Sequence, residues 1–299
     1  MKLDQRVKWH RADDAGQNFR GWRVAVIGGT GGIGRAFSRL LASRGAHVIV
    51  VGQTFRDAGT PGIEFIKADL SLMREAKRVA ALLPAETLDL VIFTTGIFAA
   101  PKRQVTAEGI ERDLAVSYLS RQVILRDIAP RLGAHRSDAA GVKPRVFIMG
   151  YPGSGQIGTP DDLNAEKSYK AMPAHMNTVA GNEMLVLNAA QRYPHATFFG
   201  LNPGLIKTNI RDNFFGKDSL KSRFAETLIG WMTPSADAYA QRIAPLLATP
   251  GIDAYSGAMF NAKGQAVLPS SGLTDTYIRQ FMTASEALAT RASTPSATS

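Results

Sequence analysis

An apolar run that stops on glycines and passes at once into an amphipathic helical pattern leaves a chain few ways to fold. WRVAVIG (22–28) is short, apolar and β-branched, and it runs into GGTGGIG (28–34). IGRAFSRLLASRG (33–45) then places Phe37, Leu40 and Leu41 at helical spacing and stops at Gly45. Glycines 28, 32 and 34 give the pattern G-x-x-x-G-x-G between strand and helix. Glycine lets the backbone turn sharply and approach a pyrophosphate, and the helix N-terminus adds free N–H groups and the positive end of its dipole. Such a loop after the first strand of a βαβ unit is a dinucleotide site.

The rest of the chain repeats the theme. AHVIVVG (46–52), LDLVIFTTG (88–96), PRVFIMG (144–150) and ATFFGLNPG (196–204) are apolar runs with glycine at or near their ends, and helical patterns occupy 72–83, 107–132 and 175–192. Alternation with continuous apolar strands predicts an α/β fold: a single Rossmann-type, doubly wound parallel sheet with helices on both faces. The expected domain spans 21–291. A polar leader precedes it (1–20) and a disordered tail follows (292–299).

The formal net charge is +10. Basic residues such as Lys217, Lys221 and Arg223 are interleaved with acids, which reads as a solvated surface favouring an anionic cofactor, with no nucleic-acid partner. Cysteine is absent, so disulfides and thiolate chemistry are excluded. The charged N-terminus lacks the apolar run of a signal peptide, and no stretch reaches the length of a membrane span. The expectation is a cytoplasmic protein. Five histidines show no metal-ligand spacing, and Asp161, Asp162 and Glu166 read as caps and surface groups. No metal is expected.

The motifs together resemble the short-chain dehydrogenase/reductase family, and within it the retinol-dehydrogenase-like branch. The marker is DDLNAEKSY (161–169), and SGAMFNAKGQAVLPS (256–270) matches that branch's closing segment. The resemblance implies a Rossmann domain that binds NADP or NAD. It assigns Gly28, Thr30, Gly32, Ile33 and Gly34 to the pyrophosphate loop, Asp69 and Leu70 to the adenine, and Thr95 and Gly96 to the ribose. Pro203, Gly204 and Ile206 fall at the carboxamide of the nicotinamide, and Thr208 near the phosphates. After the second strand the sequence is VVGQTFRD (50–57). Gln53 and Thr54 stand where an NAD-binding carboxylate would be, and Arg56 follows, which favours NADP.

The family's Asn-Ser-Tyr-Lys tetrad is not retained. Its tyrosine needs a nearby ammonium, because a free phenol titrates near pH 10. In this chain the tyrosine position falls on His175, the lysine on Val179, the serine on Gly150 or Tyr151, and the asparagine on Ser117. Tyr169 offers no shifted register, since Pro173 lies four residues on.

Three readings stay open. In the first, His175 and Tyr151 form a replacement acid/base pair; histidine titrates near neutrality unaided, and Val179 makes an apolar floor that keeps the imidazole mostly neutral. Against this, His175 could cap its helix and Tyr151 could pack on the cofactor. In the second, a catalytically silent relative binds nucleotide as a sensor. In the third, the pocket hosts a reaction on a pre-activated group such as C=N. The segment 213–232 is amphipathic and by resemblance a substrate lid, implying a hydrophobic small molecule; a membrane-contacting helix is its other reading, and a homo-oligomer stays open.

Overall fold

A computed structural model describes residues 1–9, 18–136, 142–204 and 235–293. The glycine-terminated apolar runs become strands β1 (Arg23–Ile27), β2 (His47–Gly52), β4 (Leu90–Phe93), β5 (Arg145–Met149) and β6 (Thr197–Leu201). Three more are β3 (Ile63–Lys67), β7 (Met259–Phe260) and β8 (Ala266–Val267). The sheet order is β3-β2-β1-β4-β5-β6-β7-β8. All neighbours are parallel except β7 and β8. Val24 of β1 lies opposite Val48 on one side and Leu90 on the other. Strand order reverses between β1 and β4, so a crevice opens there beyond their carboxyl ends.

The helices are α1 (Gly32–Ser43), α2 (Met73–Leu82), α3 (Arg112–Leu114), α4 (Ser120–Ile128), α5 (Ala171–Arg192), α6 (Ala236–Ala248) and α7 (Asp275–Ser293). One apolar layer joins Phe37 and Leu41 of α1 to Tyr239 and Ile243 of α6. The other joins Val79, Leu125, Met184 and Phe281 from α2, α4, α5 and α7. The doubly wound architecture expected from the sequence is therefore present, with both sheet faces covered. Among the described residues no helix is long and apolar enough to cross a membrane.

Several boundaries differ from expectation. The helix expected from 175 begins at Ala171, with Pro173 in its first turn, where a missing N–H costs nothing. The leader's first residues belong to the sheet edge: Leu3 bridges Val267, and the Asp4 N–H donates to the Ala266 carbonyl at 2.9 Å. Trp9 Nε1 donates to the Gly264 carbonyl at 2.9 Å. This backbone covers part of an edge that would otherwise present unpaired groups. At the other end, α7 extends into the expected tail as far as Ser293.

Arg145 is fully buried at the start of β5. Its Nε donates to Asp253 at 2.8 Å, and its two terminal nitrogens reach the Leu247 and Thr249 carbonyls at 2.8 and 3.0 Å. Removing one partner of a buried pair leaves an uncompensated charge. Asp253→Ala is therefore expected to lower the unfolding free energy by about 3 kcal/mol in urea titrations. An unchanged midpoint and slope would mean that the two carbonyls suffice.

Candidate active site

The crevice is built around the start of α1. Gly31 caps that helix without a side-chain hydrogen bond, and the first turn holds no acid, so its N–H groups stay open to an anion. A Cβ on Gly28 would lie 2.5 Å from the Thr95 nitrogen, and one on Gly34 would collide with the Thr94 hydroxyl and the Gly28 carbonyl. These two glycines let the loop after β4 nest against the loop after β1. Gly32 has φ of 50°, in the left-handed region.

At the adenosine end, Arg56 Nη1 donates to the Thr30 carbonyl at 3.0 Å. Gln53 Nε2 donates to Asp69 Oδ1 at 2.9 Å, and the Ser71 N–H reaches the same oxygen at 3.0 Å. Arg35, by contrast, is held in a bidentate pair with Asp57, at 2.9 and 2.7 Å. Arg56 has no carboxylate within salt-bridge distance among the described residues. Leu70 is buried in the core, so only its backbone can face a ligand. Ile33 packs partly against the α1 side of the core. Gly96 continues the loop after β4, and Pro203 and Gly204 end the described segment after β6, where the Gly204 N–H donates to Asn202 at 2.9 Å. Ile206, Thr208 and the 213–232 segment lie outside the described residues.

A polar seam runs beside the crevice. Between α3 and α4 the helix makes a π turn, Ala115–Leu119, a deviation common at functional sites. Asp113, Ser117 and Arg121 are spaced four residues apart across it. The Ser117 hydroxyl donates to Asp113 Oδ1 at 2.5 Å and accepts from the Ile97 N–H at 3.0 Å. Arg121 is buried. Its nitrogens donate to the carbonyls of Thr95 and Met149, to the Thr95 hydroxyl at 3.3 Å and to Asn182 Oδ1 at 2.9 Å. Asn182 Nδ2 donates to the Ser117 carbonyl at 2.8 Å. Burial pulls the Arg121 guanidinium down to about 9, opposed by the field of Asp113; it stays protonated at neutral pH.

His175 meets this seam from α5. Its Nδ1 lies 2.7 Å from Asp113 Oδ2, whose side chain has no exposed surface. The imidazole is 14% exposed, and its ring lies against Phe98 with centroids 4.4 Å apart. A carboxylate can only accept, so Nδ1 carries the hydrogen and Nε2 is left free. Nε2 has no hydrogen-bond partner among the described residues. The expected apolar floor is thus corrected: Val179 is buried, but a carboxylate lies beside the ring. His175 is also no helix cap, since it lies four residues inside α5.

No hydrogen bond joins Tyr151 to His175 among the described residues. Tyr151 is 44% exposed on the loop after β5 and makes no hydrogen bond among the described residues. Tyr169 donates its hydroxyl to the Ala100 carbonyl, and burial, followed by the nearby Glu111 and Asp113, pushes its phenol up to about 12. It makes a poorer acid than a free tyrosine. Asp162 accepts from the N–H groups of Glu166, Lys167 and Ser168, which orders a loop where no helix starts and so is not the capping expected of that cluster. Sequence reasoning missed Asp113 and Arg121. The available signal was the stripe Asp113-Ser117-Arg121 in a helix otherwise rich in buried apolar residues.

No family model matches the chain. A Saccharomyces cerevisiae protein named "Uncharacterized oxidoreductase YKL107W" is 53% identical over 295 residues, covering 97% of this chain and 95% of its own length. A short-chain dehydrogenase/reductase from Serratia marcescens matches with a TM-score of 0.59 at 21% identity, covering 83% of this chain and 99% of that one. The chain belongs with the oxidoreductases, as its yeast relative is named, and its fold is that of solved short-chain dehydrogenase/reductases. Human polyprenol dehydrogenase is 24% identical over 260 residues, 79% of this chain and 75% of its own. Pseudomonas aeruginosa RhlG, solved as an active-site complex with NADP, matches with a TM-score of 0.59 at 19% identity, covering 83% and 96%. A nicotinamide cofactor fits the crevice, whose glycine cradle and uncapped helix N-terminus suit a pyrophosphate.

The cradle can be tested directly. Gly34→Ala puts a methyl against the backbone of Gly28, and the loop must shift away from α1. Calorimetric titration is expected to show cofactor binding weakened by at least about tenfold, or about 1.4 kcal/mol. Unchanged affinity in a folded variant would mean that the pyrophosphate binds elsewhere.

Proposed function

We propose that this oxidoreductase uses NADPH in preference to NADH to reduce a carbonyl, or an activated C=N group, of a hydrophobic small molecule, or runs the reverse oxidation. His175 carries the proton. The observation that supports this reading best is the 2.7 Å contact between His175 Nδ1 and the sealed Asp113 carboxylate, which leaves Nε2 free. A nicotinamide held in the crevice would supply or accept the hydride. As an imidazolium, His175 would give its Nε2 proton to the substrate oxygen during reduction, while the Asp113 carboxylate accepts from Nδ1–H and fixes the ring's orientation.

Helix α5 contains neither tyrosine nor lysine, so on this reading the branch's phenol–ammonium chemistry is replaced rather than displaced along the helix. Ser117, at the family's asparagine position, orients Asp113 instead of touching substrate. The preference for NADPH rests on Arg56, free of a carboxylate partner beside Thr30, and on Gln53 in place of an acid. The hydrophobic substrate is supported by exposed Tyr151, Ile157 and Met172, on the loop before α5 and its first turn. The relative named polyprenol dehydrogenase also acts on an apolar molecule by its name. The absence of cysteine accords with a cytoplasmic location.

Titration with both cofactors is expected to give tighter binding of NADPH. Arg56→Ala should weaken NADPH by about tenfold, as for a lost charge-assisted contact, and leave NADH nearly unchanged. Equal affinities in the wild type would remove the preference.

A panel of apolar ketones and aldehydes, followed at 340 nm, tests the chemistry. Reduction is expected to speed up as pH falls through the range where imidazole gains its second proton, because imidazolium is the stronger acid. His175→Phe should lower kcat by about 10²–10⁴-fold and flatten that limb. Tyr151→Phe should change kcat little. Full activity in His175→Phe would sink the assignment, and cofactor binding without turnover on any substrate would return the chain to the binding-module reading.

A further inference from the structure

We propose that Arg121, on the helix facing the one that carries His175, is the fixed cation of this site and positions the proton equilibrium of the His175–Asp113 pair. The inference rests on the reading of His175 as the proton carrier, and it asks what holds that pair in its working range.

Two observations on the seam carry it. First, α5 has no cation before Arg192, at its far end, so the charge that the family places one turn from its acid is absent from this helix. Second, Arg121 is a buried cation whose hydrogen-bond partners are all neutral: the Thr95 carbonyl and hydroxyl, the Met149 carbonyl and Asn182 Oδ1. No carboxylate lies within salt-bridge distance of it among the described residues. A neutral donor could meet those acceptors without burying charge, and burying charge is costly. The charge has a counterpart nearby on the same stripe. Asp113 is connected to Arg121 through Ser117 and Asn182, by the bonds Ser117 Oγ to Asp113, Asn182 Nδ2 to the Ser117 carbonyl, and Arg121 Nη1 to Asn182.

The charges of the seam then oppose one another at His175. With a neutral imidazole, Arg121 and Asp113 cancel. With an imidazolium the buried set carries one net positive charge. Asp113 therefore favours keeping the proton and Arg121 favours releasing it, which makes His175 a better donor than a histidine paired with a carboxylate alone. Other ionisable groups face the pair as well, and they are unchanged when Arg121 alone is replaced. Glu111 caps α3, its carboxyl pushed up by burial. The Tyr169 phenol is neutral, while Arg103, which donates to the Asn164 carbonyl, adds a second positive field that reaches Glu111 and Tyr169. Phe98 is uncharged. Glu183, next to Asn182 on α5, is turned to Ser270 and Gly153.

The test reads the imidazole itself. The His175 resonances of the full chain without cofactor, assigned by their loss in His175→Phe, are titrated by NMR. In Arg121→Gln the midpoint is expected to rise, by up to about one pH unit, because a like charge that disfavours the imidazolium is removed. Arg121→Lys, which keeps the charge, should stay close to wild type. Arg121→Met, another neutral variant, carries the test if the glutamine variant is unstable, with thermal melts confirming a folded state. A midpoint that stays put in a folded neutral variant, or that rises equally in the lysine variant, overturns the proposal. If the midpoint rises while the pH profile of reduction does not, Arg121 keeps its role and the assignment of His175 as proton carrier falls.

Discussion

A carboxylate sealed between two helices, with no surface exposed to solvent, has its charge and both oxygens answered from within the seam. Asp113 meets that demand with the Ser117 hydroxyl on one oxygen and His175 Nδ1 on the other. Each of these partners is itself tied elsewhere. Ser117 accepts from the Ile97 N–H, just beyond the loop that meets the glycine cradle. Two turns along, Arg121 grips Thr95 and Met149 at the ends of β4 and β5. The bonds that make a buried charge tolerable thus also set the distance between the crevice and the imidazole. Satisfied polar networks of this kind rigidify as well as stabilise.

Helix α5 extends that control to the other side of the site. Glu183 is buried, and burial pushes its carboxyl up. It nevertheless accepts from the Ser270 N–H and hydroxyl at 2.6 and 2.7 Å and from the Gly153 N–H at 3.2 Å. Ser270 follows β8 and Gly153 follows β5, so one carboxylate joins two loops from different parts of the sequence. His175 and Asn182 thereby tie the helix to the Asp113-Ser117-Arg121 stripe, and Glu183 ties it to the loops after β5 and β8. The helix gives those loops a rigid reference, since loops alone hold geometry poorly.

The sheet was legible where burial on both faces forces a continuous apolar run. That condition holds for β1, β2, β4, β5 and β6, which end on or near glycines. It does not hold for β3, an edge strand whose IEFIK alternates with charge, or for β7 and β8, two residues each and too short for any periodicity to register. The cofactor cradle was legible because a steric requirement at Gly28 and Gly34 can be met only by the smallest residue. The polar seam beside the crevice was half legible. A histidine at 175 stands out because a resemblance assigns another residue there, whereas Asp113 and Arg121 belong to no motif. Their significance comes from a helix face, a π turn and the packing of α5, all of which are tertiary.

The pairing of His175 with Val179 has a physical logic of its own. A phenol titrating near pH 10 needs an ammionium close by to work near neutrality. An imidazole needs no such help, and a cation one turn away on the same face would strip its proton too readily. Replacing the phenol by imidazole therefore removes the reason for a lysine at 179 and makes it unwelcome. A small apolar side chain there packs the core, as Val179 does. The balance between keeping and releasing the proton can then be set from farther off, by Asp113 in contact and, on the proposed reading, by Arg121 two turns along the facing helix. On that view the four positions where the family's tetrad would fall changed as a set: once the acid is a histidine, a carboxylate contact and a distant cation do the work of a lysine contact.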